Sequence, residues 1–236
     1  MLDNTAPIAE NLNTVRDLIK SHAKAAGRDE NDINLLAVSK TKPVSDIVLA
    51  YESGQRHFGE NYVQEGVDKV LQLKSFQGII WHFIGPLQSN KSRLVAENFD
   101  WMHSLDRLKI AKRINEQRPV FKAPLNCCIQ VNIDKEESKA GVLPSEVIDL
   151  VASMQTLEKI KIRGLMAIPK ASDDKATQKN SFDQMRSLFE QCKQKFSDFD
   201  TLSIGMSGDI DVAIECGSTM VRVGTAIFGQ RVKTNT

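Results

Sequence analysis

Short apolar runs and amphipathic stretches alternate along almost the whole chain. Ile8, Leu12, Val15, Ile19 and Ala23 recur at the spacing of one helix face, and Gly27 supplies a stop. The pattern therefore predicts a helix over Thr5–Ala26. The run Leu35-Leu36-Ala37-Val38 then enters Ser39-Lys40-Thr41-Lys42 and halts at Pro43, which suits a buried strand ending near Lys40. Further strand-like runs lie at Arg56–Phe58, Ile79–Ile84, Trp101–Ser104, Leu125–Ile133, Ile162–Ile168, Thr201–Met206 and Thr219–Val223. Helical patterns separate them at Ser45–Glu52, Asn61–Leu73, Gln88–Glu97, Asp106–Glu116, Pro144–Met154, Ser181–Phe196 and Asp209–Cys216. Pro144 takes the usual first helical position, and Phe182, Met185, Phe189, Cys192 and Phe196 share one face.

Eight strand candidates, each but the last followed by a helix, imply a parallel sheet. Eight such units in 236 residues match a (β/α)8 TIM barrel preceded by an extra N-terminal helix. An open doubly wound sheet is the alternative, because one strand miscounted would open the barrel. Nothing rich in glycine, serine or proline divides the chain, so residues 1–236 are expected to form one domain. The polar stretches Asp134–Lys139 and Lys170–Asn180 read as loops, and 233–236 as a frayed tail.

Composition narrows the class. The formal net charge of +1 argues against a general nucleic-acid binder. The four cysteines, Cys127, Cys128, Cys192 and Cys216, show no C-x-x-C spacing and read as reduced packing residues. Neither a secretory leader nor a run of roughly 20 apolar residues is present, which points to a soluble, cytoplasmic protein without a membrane partner. A monomer is expected.

In a barrel the chemistry sits at the carboxyl ends of the strands. Those ends offer Lys40 after the first strand and Gly59-Glu60-Asn61-Tyr62 after the second. Gly85 follows the third strand, and Pro169-Lys170 the sixth. Gly205-Met206-Ser207-Gly208 follows the seventh, and Arg222-Val223-Gly224-Thr225 closes the eighth. Loops after the last two strands frequently hold phosphate. Gly205 and Gly208 permit close backbone approach, Ser207 offers a hydroxyl, and Gly224-Thr225 can open a helical turn whose N–H groups face an anion. The bland reading, ordinary glycine turns, weighs about as much.

A lysine held away from water beside such a cradle suggests a Schiff base with a phosphorylated aldehyde, of which pyridoxal 5′-phosphate is the obvious example. Lys170 is a rival for that role, and Lys42 reads as solvated. Arg222 shares strand parity with Gly224 and should face inward one step deeper, where a pyridine nitrogen or a carboxylate such as Glu60 could meet it. Arginine stays protonated and has no proton to give the ring, which restricts carbanion chemistry. His22, His57, His82 and His103 match no metal spacing and read as packing or surface residues, although His82 could border the mouth. Gly205-Met206-Ser207-Gly208-Asp209 misses the nucleophile elbow.

These motifs together resemble the pyridoxal phosphate homeostasis proteins (the YggS/PROSC family), related to the N-terminal barrel of alanine racemase. The resemblance is carried by residues 37–43 (AVSKTKP), 58–65 (FGENYVQE), 81–85 (WHFIG), 164–169 (GLMAIP), 203–207 (SIGMS) and 217–229 (GSTMVRVGTAIFG), in order along nearly the whole chain. It implies that Lys40 carries pyridoxal 5′-phosphate as an aldimine. By the same likeness Ser207, Gly224 and Thr225 hold the phosphate, Arg222 faces the ring nitrogen, and Asn61 lies near the cofactor. Gly208 departs from the acidic or alanine residues familiar there. The family implies no established reaction and no catalytic residue. Its implied role is vitamin B6 homeostasis and delivery of the cofactor to apo-enzymes, with effects on amino-acid and keto-acid balance.

Two other classes stay open. One is a pyridoxal phosphate-dependent racemase or lyase, but two-base racemisation needs a second group, and Tyr62 is the sole tyrosine near a strand end. The chain stops just past its eighth strand, so the second domain that supplies this group in alanine racemase is not expected here. The other is a cofactor-free barrel enzyme using Lys40 or Lys170 on a sugar phosphate.

Overall fold

The computed structural model describes residues 6–136, 139–170 and 172–230; the expected helix start at Thr5 and the frayed tail over 233–236 lie outside the described residues. Eight parallel strands close into a barrel in sequence order. They are β1 (Asn34–Val38), β2 (His57–Glu60), β3 (Ile80–Phe83), β4 (Trp101–Leu105), β5 (Leu125–Gln130), β6 (Ile160–Met166), β7 (Thr201–Met206) and β8 (Met220–Val223). Between them run α2 (Val44–Glu52), α3 (Val63–Gln72), α4 (Ser92–Asn98), α5 (Leu108–Gln117), α6 (Val147–Met154), α7 (Lys175–Lys195) and α8 (Ile210–Glu215). The seam closes where β8 pairs with β1, Asn34 opposite Met220 and Ala37 opposite Val223. The (β/α)8 barrel expected from alternation is therefore the architecture, and the open sheet is not.

Helices cover the barrel outside, so strand residues are buried on both faces, and β4 is buried at every position. Outward side chains such as Phe58, Phe83, Met102, Cys127 and Leu202 join the helices in one continuous core, while Trp101, Cys128 and Met166 form a small cluster of their own inside the barrel. The neighbours Cys127 and Cys128 thus face opposite ways, and all four thiols are free and buried.

The extra helix α1 (Ala6–Ala25) buries Ile8, Leu12, Val15, Ile19 and Ala23, the five positions its periodicity marked. It lies against α2, α8 and the short α9 (Thr225–Phe228), where each of the four larger side chains removed from water contributes roughly 1.5–3 kcal/mol. Several boundaries differ from expectation, the following two among them. Helix α7 starts inside the stretch read as a loop, because the Asp174 carboxylate accepts the Ala176 and Thr177 N–H groups and caps a first turn too polar to show periodicity. Strand β6 stops at Met166, which leaves Ile168 beyond it and exposed.

Candidate functional site: one cavity at the carboxyl ends of the strands

Strand β1 ends at Val38, so Lys40 lies in the turn that follows and is half-buried. The turn is pinned on both sides of the lysine. Ser39 N–H continues the ladder to the Gly59 carbonyl at 3.0 Å, and the Ser39 hydroxyl donates to Glu60 Oε1 at 2.6 Å. Thr41 adopts a left-handed φ of 63°, a costly conformation for a β-branched residue, and its N–H is held by Glu65 Oε1 at 2.6 Å. Lys69, from α3, binds the assembly together: its ammonium donates to the Ser39 carbonyl (2.8 Å), Glu60 Oε1 (2.9 Å) and Glu65 Oε1 (2.6 Å). Burial pushes the Glu60 carboxyl up, against the pull of Lys69 and Ser39. Glu60 Oε2 is buried and meets no hydrogen-bond partner among the described residues. Replacing Lys69 by methionine would leave two carboxylates facing each other in this buried corner. Lys69→Met should cost about 3–5 kcal/mol in a denaturant titration. A loss below about 1 kcal/mol would show that the cluster is not a single pinned unit.

The pinned turn faces a cavity of about 460 Å³ at the carboxyl ends of the strands, lined by Lys40, Asn61, Ser207, Arg222, Gly224 and Thr225 among others. Its walls are apolar, from Val38, Ile84, Met166 and Ile168. Asn61 is held close to the third strand end because a Cβ on Gly85 would sit 2.1 Å from the Asn61 carbonyl oxygen. Its side-chain Oδ1 is buried and meets no partner among the described residues, an acceptor that a bound donor could satisfy. At the exposed rim, Ser207 and Gly208 form a loop closed by Asp209, whose Oδ1 accepts the Met206 N–H at 2.6 Å. Across it, the Gly224 carbonyl accepts from Ile227 and Phe228, so the Thr225 and Ala226 N–H groups fall in the first turn of α9, where the helix itself supplies no acceptor. Gly205 has a different task from the one expected. Its φ is +94°, and a Cβ there would lie 2.4 Å from Ala213 Cβ, so it packs α8 against β7 and does not line the cavity.

Arg222 closes the deep end. Its guanidinium donates to the Ser203 carbonyl (2.6 Å), the Ser203 hydroxyl (2.8 Å) and the Ala167 carbonyl (2.9 Å). These three bonds leave further N–H donors of the fork for the cavity it lines. Burial lowers its pKa to about 10, which keeps it cationic at neutral pH. No ion pair joins it to Glu60, which meets Lys69 and Ser39 instead.

The alanine racemase N-terminal domain family matches residues 4–232. A pyridoxal phosphate homeostasis protein from Pasteurella multocida is 57% identical, over 95% of this chain and 97% of its own length. The protein of that name from Escherichia coli K12 is 54% identical, over 95% of this chain and 97% of its own. The chain belongs to the pyridoxal phosphate homeostasis protein family. Among solved structures, PipY of Synechococcus elongatus with PLP bound is 35% identical, with a TM-score of 0.81, over 94% of this chain and all of PipY (100%). An alanine racemase from Clostridium difficile, 17% identical with a TM-score of 0.77, spans 99% of this chain but 58% of its own and shares the fold.

In this family member the six residues singled out from sequence border one cavity. Lys170 does not border it: the side chain is exposed and the backbone N–H donates to Asp134. Lys42 is not solvated as expected, since its ammonium donates to the Phe228 and Gln230 carbonyls at 2.7 and 2.9 Å and ties the turn to the end of α9. Two features escaped sequence reasoning. The Lys69 clamp could have been suspected from the i,i+4 pair Glu65–Lys69. The second is a row of three imidazoles inside the barrel, His57, His82 and His103, and the strand parity of His82 and His103 was the available signal.

Proposed function

We propose that this chain, as one barrel domain over 1–236, holds pyridoxal 5′-phosphate through Lys40 and serves in vitamin B6 homeostasis as a carrier that yields the cofactor to apo-enzymes. The observation that carries the reading is the sharing of one cavity by a lysine on a pinned turn, a deep guanidinium and a rim of Ser207, Gly208, Gly224 and Thr225. The fit is supported by the buried, unpartnered Asn61 Oδ1 and by Gly224, where a Cβ would stand 3.1 Å from the Val38 carbonyl and crowd the cradle. A cavity of about 460 Å³ lies within the size of small-molecule sites. Names and contents of relatives point the same way.

When bound, the group supplies an aldehyde that condenses with an amine and releases water. Each residue then has a distinct task. Lys40 offers its amine from a turn fixed by Ser39, Glu60, Glu65 and Lys69, which limits the ordering cost of binding. Ser207 and the first turn of α9 would take the phosphate. Arg222 would donate to the ring nitrogen without transferring a proton, which would leave the ring a weak electron sink. Holding, not turnover, is supported by the cavity lining. Among the described residues that border it, the titratable side chains are Lys40 and Arg222, and a guanidinium makes a poor second base. Buried free thiols fit a reducing cytoplasm.

Purified protein mixed with pyridoxal 5′-phosphate and passed through a desalting column should retain visible absorption. A colourless product rejects the reading. Activation of a cofactor-free acceptor enzyme faster than the cofactor leaves the isolated carrier supports delivery. Activation no faster than that release reduces the role to storage.

A further inference from the structure

Three imidazoles that the cavity does not touch stand in line across the barrel. His57, His82 and His103 belong to the adjacent strands β2, β3 and β4. His57 Nδ1 lies 2.9 Å from His82 Nε2, and His82 Nδ1 lies 2.9 Å from His103 Nε2. His103 Nδ1 lies 3.0 Å from the Ser203 hydroxyl, which is 2.8 Å from Arg222 Nη1. The row therefore runs from the deep end of the cavity to His57, which borders a second, polar pocket at the amino ends of the strands. Around it, the Trp101 ring stacks on His82, and Arg163 lies over the Trp101 ring. Arg222 and, less strongly, His57 act on His103, and Asp209 and Cys128 act on Arg222. Arg28, Asp32, Arg163, Lys193 and Asp200 share the pocket with His57.

The direction of every hydrogen bond follows from Ser203. Arginine has donors alone, so the Ser203 oxygen accepts from Arg222. The hydroxyl hydrogen then needs an acceptor, and His103 Nδ1 is within reach. A neutral imidazole has one donor and one acceptor nitrogen, so accepting at Nδ1 places the His103 hydrogen on Nε2, facing His82 Nδ1. His82 repeats the arrangement toward His57, whose own Nε2–H is left for the polar pocket. The reverse order would strand the hydroxyl hydrogen of a fully buried serine, at a cost of about 1–3 kcal/mol. Burial favours the neutral rings this requires, holding His103 at about 3, His82 well below its ordinary value and His57 lowered.

We propose that Ser203, His103, His82 and His57 are positioning residues for Arg222: a one-directional row of donors that fixes the guanidinium against the ring end of the ligand and links it to the pocket at the opposite end of the barrel. The link to a ring rests on the function proposed above; the direction of the row does not.

Nitrogen NMR of the full chain with labelled histidines, at neutral pH without ligand, tests the direction. The result expected is the Nε2–H tautomer at all three rings of the row, with His22→Gln identifying the fourth histidine. Ser203→Ala should shift His103 to a mixed or Nδ1–H tautomer, with His82 following, and Ser203→Thr should restore the original pattern. An Nδ1–H tautomer at any of the three rings in the native chain overturns the proposal. Unchanged nitrogens in folded Ser203→Ala do the same. If that variant does not fold, the native tautomers decide. Pyridoxal 5′-phosphate is then added to saturation. A shift at the His103 nitrogens supports the link, whereas visible binding with His103 and His82 unmoved overturns it. A chain that takes up none of the compound sinks the carrier reading and the link, and leaves the row standing on its tautomers.

Discussion

Lys40→Ala protein should remain colourless after incubation with pyridoxal 5′-phosphate and desalting, and borohydride should leave no added mass on the chain. Lys40 is the amine that borders the cavity, on a turn whose two flanking residues are bonded to Glu60, Glu65 and Lys69. Alanine keeps that backbone and removes the nitrogen. Ser207, Asn61, Arg222 and the first turn of α9 stay in place, so weak reversible binding should persist. Loss of the proposed covalent link should weaken retention at least about 100-fold, equivalent to about 2.7 kcal/mol. Lys170→Ala is the control, since Lys170 is exposed and does not border the cavity. It should retain full colour and a full adduct. An undiminished adduct in Lys40→Ala, or its loss in Lys170→Ala alone, would move the chemistry to a different lysine and end the assignment.

Stability should fall by about 3 kcal/mol between about pH 7.5 and pH 5.5 because two imidazoles are buried in neutral form. His103 is held at about 3 and His82 well below its ordinary value of 6.5, both by burial first. In the unfolded chain each regains a pKa near 6.5, so below that pH the unfolded state binds protons that the folded state refuses. Their stabilising effect is complete above the unfolded value and is lost progressively as pH falls toward the folded one. Each contributes about 1.4 kcal/mol per pH unit once fully in that window. His57, lowered by burial alone, adds in the same direction. Glu60 opposes them, because its raised carboxyl pKa makes the folded state the better proton binder. Urea titrations at constant ionic strength across this range give the slope. Replacing His103 by phenylalanine should remove about 1.4 kcal/mol of the pH dependence, whatever it does to stability itself. A native chain whose stability is flat or rises over this range would contradict the buried neutral row.

Alternation, capping and the strand-end rule made the barrel legible before any coordinates. The apolar set of α1 and the placement of Lys40, Asn61, Ser207, Arg222, Gly224 and Thr225 around one mouth rest on local patterns, because in a (β/α)8 fold every strand end reaches the same face. What periodicity handles badly is polar structure. The first turn of α7 is held by the Asp174 cap and carries no apolar stripe, so it read as loop.

The residues themselves determined that an amine, a guanidinium and a glycine-rich rim would share the carboxyl face of a barrel, since each is fixed by its own strand's period and end. Only the lateral pairing of the strands decided which charges meet. It brought Lys69 under the Lys40 turn and turned Arg222 toward Ser203 and Ala167, with no ion pair to Glu60. It also joined His57, His82 and His103, which stand 25 and 21 residues apart, into one row. Such pairings depend on the register between neighbouring strands, a long-range quantity that no local spacing encodes.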